Sequence, residues 1–101
     1  MSPKTIWKFP LPIEDKTTIE MPTGAQILTV QSQKLFEDWK AEIYIWALVD
    51  SHQPMVPRTF CVVGTGHPFE DADSCEYIGT AQIDGGKLGW HVFELRGDAD
   101  D

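Results

Sequence analysis

Apolar and polar residues alternate with a period of two along much of this chain, the spacing that puts one face of a pleated strand in a core. Thr5-Ile6-Trp7-Lys8-Phe9 sets Thr5, Trp7 and Phe9 on one side and Lys8 on the other. Pro10 and Pro12 follow, and proline cannot donate to a ladder, so this segment is predicted as an edge strand. Lys16 to Met21 forms a second strand with Ile19 and Met21 inward and Glu20 outward. Pro22-Thr23-Gly24 supplies turn chemistry, a fixed φ at proline and access to positive φ at glycine. Ala25 to Gln31 is the third strand. Glu42 to Val49, with seven consecutive apolar residues, is expected to be a central strand covered on both faces. Between them, Gln33 to Ala41 places Leu35, Phe36 and Trp39 at helix-like spacing. That segment fits one or two helical turns or the tip of a long hairpin, and the pattern does not choose.

Asp50 to Pro57 is expected to be a loop holding Pro54 and Pro57. Thr59 to Val63 is the fifth strand, ended by Gly64-Thr65-Gly66-His67-Pro68. Residues 67–75 read as an acidic turn region with room for one short helical turn. Glu76 to Ile83 and Lys87 to Leu95 are the last two strands, joined by Asp84-Gly85-Gly86 as a hairpin signal. Seven short strands with Gly/Pro punctuation predict an all-β fold, a small antiparallel β-sandwich or partly open barrel with at most one short helix. Residues 1–95 are expected to form one β domain and residues 96–101 an acidic flexible tail.

Composition supports one folded core, with 42% hydrophobic and 11% aromatic residues in a chain of 101. Charge narrows the range of partners. Sixteen Asp and Glu against eight Lys and Arg give a net charge of −8. Phosphate backbones and anionic membranes require a basic surface, so direct nucleic-acid and membrane binding are not expected. No run approaches the roughly 18 apolar residues of a membrane span. A basic protein surface is the natural complement, although net acidity also serves solubility alone. From Thr59 to Gly86 there are five acidic residues (Glu70, Asp71, Asp73, Glu76 and Asp84) and no lysine or arginine. The first twelve residues hold three prolines and no apolar stretch of the secretory kind, so a reducing cytoplasm with two free thiols is expected. Cys61, within Phe60-Cys61-Val62-Val63, is expected as a small core residue. Acidic neighbours of Cys75 raise a thiol pKa and argue against a nucleophile there.

Candidate chemistry is sparse. The Gly64-Thr65-Gly66-His67-Pro68 turn resembles an anion cradle, but Glu70, Asp71 and Asp73 repel phosphate, which favours a structural turn. His67, Asp71, Asp73, Cys75 and His91 are metal-ligand types without zinc spacing, and Asp71, Asp73 and Glu76 lack a calcium loop. No metal or other cofactor is expected; the alternative is a metal or small-molecule site centred on His67, Asp71 and His91. Ser74-Cys75 and the histidines match no nucleophile motif, so nothing points to catalysis. Trp46 and Trp90 fall on strong strands and are expected in the core. Trp39 is flanked by Glu37, Asp38, Lys40 and Glu42, a setting that suits an interface anchor as well as a cap on the barrel end.

The pieces Trp7-Lys8-Phe9, Ile19-Glu20-Met21-Pro22-x-Gly24-Ala25, Trp46-Ala47-Leu48-Val49-Asp50, Arg58-Thr59-Phe60, Gly64-Thr65-Gly66-His67-Pro68, Tyr77-Ile78-Gly79-Thr80 and Trp90-His91-Val92-Phe93-Glu94 cover most of the domain. In them the chain resembles a family of small uncharacterised proteins of bacteriophages, prophages and some bacteria. The segment from Lys34 to Glu42 is longer than the tight hairpin associated with that family. The resemblance implies a phage-type product in the bacterial cytoplasm and carries over no catalytic residue. With the charge, it leads to an expected protein-binding module, an inhibitor of a host defence protein being one form. The expected partner is a basic-surfaced host or phage protein, met through Glu70, Asp71, Asp73, Glu76, Asp84 and Trp39. The competing expectations are the metal-dependent or small-molecule enzyme above and a structural or virion accessory protein.

Overall fold

The computed structural model describes residues 3–33, 42–83 and 88–96. Seven strands run in chain order through them: β1 (Thr5–Leu11), β2 (Lys16–Pro22), β3 (Gln26–Gln33), β4 (Glu42–Val49), β5 (Met55–Gly64), β6 (Cys75–Ile83) and β7 (Leu88–Leu95). The one helical element described is a single 3-10 turn, Ala72–Ser74. The strands form two antiparallel sheets, a three-stranded sheet ordered β1-β4-β3 and a four-stranded sheet ordered β2-β5-β7-β6. The expected β-sandwich is therefore the fold, with β1 at a sheet edge as its prolines indicate.

The alternation places the core. Along β4, Ile43, Ile45, Ala47 and Val49 are fully buried. Directly opposite residues share a face, so Phe9 and Trp7 on β1 join them through Ile45 and Ala47. From the other sheet come Met21, Phe60, Val62, Ala81 and Val92. Burying each of the larger side chains stabilises the fold by about 1.5–3 kcal/mol. The β2–β3 turn forms as expected, with Gly24 at φ +83° and Ala25 N–H donating to the Pro22 carbonyl at 3.1 Å. On one side the sheets nearly meet. A Cβ on Gly79 of β6 would lie 3.5 Å from the Cβ of Val30 on β3. The Ser32 hydroxyl donates to the Gln82 carbonyl at 2.6 Å across the same gap. Each of these strands shifts register once, between Ile27 and Thr29 and between Tyr77 and Gly79, the kind of bulge that bends a strand and increases its twist.

Two expectations need correction. Trp46 does not lie in the core: with Tyr44 and Leu48 it points to the outer face of the three-stranded sheet, half-buried, with the Lys8 ammonium 6.0 Å from its ring. A continuous apolar run hides the strand's parity, and the core took the smaller set. Residues 55–57 are strand rather than loop. Pro57 is tolerated because Thr65 N–H bonds the Gly89 carbonyl, so odd-numbered β5 residues aim their backbone toward β7, and β7 pairs only from Phe60 onward. Cys61 is buried as expected, its burial coming from the loop that follows β5 and from Cys75. The expected turn at Asp84-Gly85-Gly86 falls outside the described residues, as does the segment with Trp39.

Candidate functional site

The outer face of the four-stranded sheet carries the Gly64-Thr65-Gly66-His67-Pro68 turn and the acidic loop after it. The turn closes with His67 N–H donating to the Gly64 carbonyl at 3.0 Å while Gly66 adopts φ +86°, a conformation that favours glycine. Thr65 Oγ1 then meets His91 Nε2 at 2.7 Å, and His91 Nδ1 meets Thr80 Oγ1 at 2.9 Å. Thr80 in turn bonds the Tyr77 hydroxyl at 2.6 Å. Phe69 packs on Phe93 with ring centroids 4.7 Å apart, and Phe93 meets Tyr77 edge-on at 5.4 Å. The Asp71 carboxylate reaches Lys16 at 2.9 Å, and that hydrogen bond, with the attraction between the charges, raises the lysine pKa. Beyond Phe69, Arg96 donates to the Ser74 and Asp73 carbonyls.

Beneath the loop the two thiols touch, with Cys61 Sγ 3.9 Å from Cys75 Sγ. Burial first, and the contact with Cys75 second, push the Cys61 thiol up to about 11. A thiol held protonated is a poor nucleophile. The pair is also poorly placed for a disulfide. β7 lies between β5 and β6, so the two backbones stand about two interstrand spacings apart, roughly 9–10 Å, whereas a disulfide needs Cα atoms within about 7 Å.

Two clefts flank this platform. The larger, about 610 Å³, lies between the β1–β2 connection and the acidic loop, with Gly64 and Trp90 at its floor and Glu14, Asp15, Glu70 and Asp71 around it. The smaller, about 300 Å³, is bordered by Glu76, Arg58 and Glu94. There Arg58 Nε and Nη2 donate to Glu94 Oε2 and Oε1 at 2.6 and 2.7 Å, and Nη1 donates to the Ala25 carbonyl at 2.6 Å. The hydrogen bond to Glu94 raises the guanidinium pKa.

The acidic residues singled out from sequence are thus divided. Glu70 and Asp73 are exposed on the loop, and Asp71 is tied to Lys16. Glu76 shares a face with Glu94 and Phe60 and borders the other cleft. Asp84 and Trp39 lie outside the described residues. His67 and His91 are not brought together. His67 stands edge-on to Trp90 at 6.5 Å, whereas His91, one residue on, faces the opposite side of the sheet with both ring nitrogens on threonines. Among the described residues no three His, Cys, Asp or Glu side chains converge on a metal position. The Arg58–Glu94 pair was missed, although parity offered a signal. Arg58 shares a face with Phe60 and Val62, and an inward cation requires an inward acid.

A family model described as a domain of unknown function, DUF7352, matches residues 2–101. The chain belongs to that family. No curated protein and no solved structure gives a significant match. Membership attaches no activity to the cleft or the loop, so the functional reading rests on the residues themselves. No helix among the described residues is long and apolar enough to cross a membrane.

Proposed function

We propose that this DUF7352 protein is a binding module whose acidic loop engages a basic surface on a host or phage protein. Acting from the bacterial cytoplasm as a phage-type product, it would block a host defence protein by occupying a groove built for phosphate. The observation that carries the reading is the way the loop is held. Phe69 on Phe93, Thr65 on His91 and Asp71 on Lys16 fix its backbone, while Glu70 and Asp73 stay exposed. Fixed carboxylates on a chain of net charge −8 supply both steering and register for a cationic partner.

The test is capture from bacterial lysate on immobilised protein at low and high salt, with a Glu70→Lys/Asp73→Lys variant beside the wild type. A partner with a basic surface should be retained at low salt, released as screening rises, and lost from the variant. Recovery of no protein, or retention indifferent to salt and to both substitutions, would refute the reading.

A further inference from the structure

We propose that the larger cleft is a docking groove for an extended, arginine-bearing segment of a protein partner, with the guanidinium seated between the two acidic walls. The inference rests on the binding reading above and adds the site, the residue type and the mode of entry.

The groove follows from register. β2 pairs with β5 no further than Lys16 opposite Cys61, yet β5 continues to Gly64 with β7 on its other side. Residues 62–64 of β5 therefore have no strand on the β2 side and line the cleft, where Val62 and Gly64 are buried and the Gly64 carbonyl already accepts from His67 N–H. The cleft is therefore a trough beside a strand end and not a free sheet edge, and what it offers an extended segment is side-chain surface. The floor is close-packed at its far end. A Cβ on Gly64 would stand 2.8 Å from His67 Nδ1 and 3.1 Å from Trp90 Cζ3, so the glycine lets both rings sit against the strand.

The lining selects the occupant. Ile13, Val62, Pro68, Phe69 and Trp90 contribute apolar surface, while Glu14, Asp15 and Glu70 contribute three carboxylates beside the paired Asp71. The one ammonium there, Lys16, is already engaged by Asp71. Phosphates and carboxylate ligands are repelled by such a rim. A bare divalent ion is disfavoured, because among the described residues the acids do not converge as ligands. An apolar stem with a cationic head fits both halves, and the planar guanidinium can lie along aromatic rings and pair with separated carboxylates.

Isotope-labelled protein titrated with the blocked peptide acetyl-Ala-Arg-Val-Arg-Ala-amide tests this, with lysine and citrulline counterparts as controls. Saturable shifts should centre on the amides of residues 62–67 and the Trp90 indole N–H. The arginine peptide should bind tighter than lysine, and citrulline should not bind. Glu14→Gln/Glu70→Gln should weaken binding by about fivefold or more, while Glu20→Gln, an exposed β2 carboxylate outside the cleft, leaves it unchanged. Both variants alter exposed residues, and an otherwise unperturbed amide spectrum certifies the fold. Equal binding of the citrulline or lysine peptide overturns the proposal. So do shifts centred on Asp73 and Glu76, or an unbound peptide while a lysate partner is still captured, and these leave the broader acidic-loop reading standing. Failure of peptide and lysate capture together removes both.

Discussion

Arg58 offers the sharpest quantitative test of how the two sheets are joined. Its guanidinium makes two charge-assisted bonds to Glu94 on β7 and a third to the carbonyl of Ala25, at the entry to β3 in the other sheet. The two side chains are only 22% and 19% exposed, so water replaces these bonds poorly. Net hydrogen bonds to charged groups contribute about 1.5–3 kcal/mol each, reduced here because the site is not dry. Glu94→Gln keeps the shape and one acceptor but removes the charge, and should destabilise by about 1–2.5 kcal/mol. Arg58→Met keeps the apolar stem but strands the carboxylate and the Ala25 carbonyl, and should cost about 2–4 kcal/mol. The double variant removes both partners, so its loss should fall short of the sum by about 1–2 kcal/mol. Urea unfolding followed by tryptophan fluorescence gives all four corners of the cycle, provided the slope against denaturant is common to them. A coupling below about 0.3 kcal/mol, within the scatter expected of independent sites, would show that the pair does not clip the sheets together.

The loop platform sets four further outcomes. The folded state holds the Cys61 proton up to about pH 11, against an ordinary thiol value of 9.0. Its contribution to stability is therefore intact below pH 9 and lost as pH climbs toward 11, an effect of up to about 2–3 kcal/mol by linkage. Wild type should lose more urea resistance over that window than Cys61→Ala. Iodoacetamide labelling of Cys61 at pH 8 should also run at least about 100-fold slower than in the unfolded chain; labelling at the unfolded rate would refute the burial. Gly66→Ala should destabilise by about 1–2 kcal/mol through strain alone, since φ is +86° and no atom lies within 4 Å of the added methyl. Gly64→Ala should instead displace His67, visible as shifts of the His67 and Trp90 ring resonances; unchanged rings there would contradict the packing at the cleft floor.

The sandwich was legible because a period of two, interrupted by Pro22-Thr23-Gly24 and Gly64-Thr65-Gly66, leaves few other folds open. Faces were legible where polar residues break the apolar run, as Lys8 does in β1 and Glu20 in β2. In β4 nothing breaks it, and size misled: tryptophan was placed inward, while the pleat buried Ile45 and Ala47 and left Trp46 half-buried outside. Pro57 suggested a loop because a proline's effect depends on which neighbour its nitrogen faces, a property of the sheet and not of the segment. The acidic loop was found, but its division was not. Glu70 and Glu76 are six residues apart in sequence, yet they border different clefts once Cys75 enters the sheet. Arg58 and Glu94 are 36 residues apart: the parity of β5 marks Arg58 as inward, but no local pattern names its partner.

The four-stranded sheet works on both faces, and this explains residues that alternation alone leaves puzzling. Val92 packs into the sandwich, while Phe93 points away from it, where a lone aromatic would be an exposed liability. Phe69 and Tyr77 close over it, and the acidic loop is thereby carried on an apolar platform with the two cysteines beneath. A loop fixed in this way has already lost the conformational freedom that a flexible acidic segment would give up on binding. Asp71 serves the fixing by holding Lys16, and on the proposed binding reading Glu70 and Asp73, which stay exposed, are the carboxylates that meet a partner. On that reading anchoring and recognition fall to different carboxylates of one short stretch.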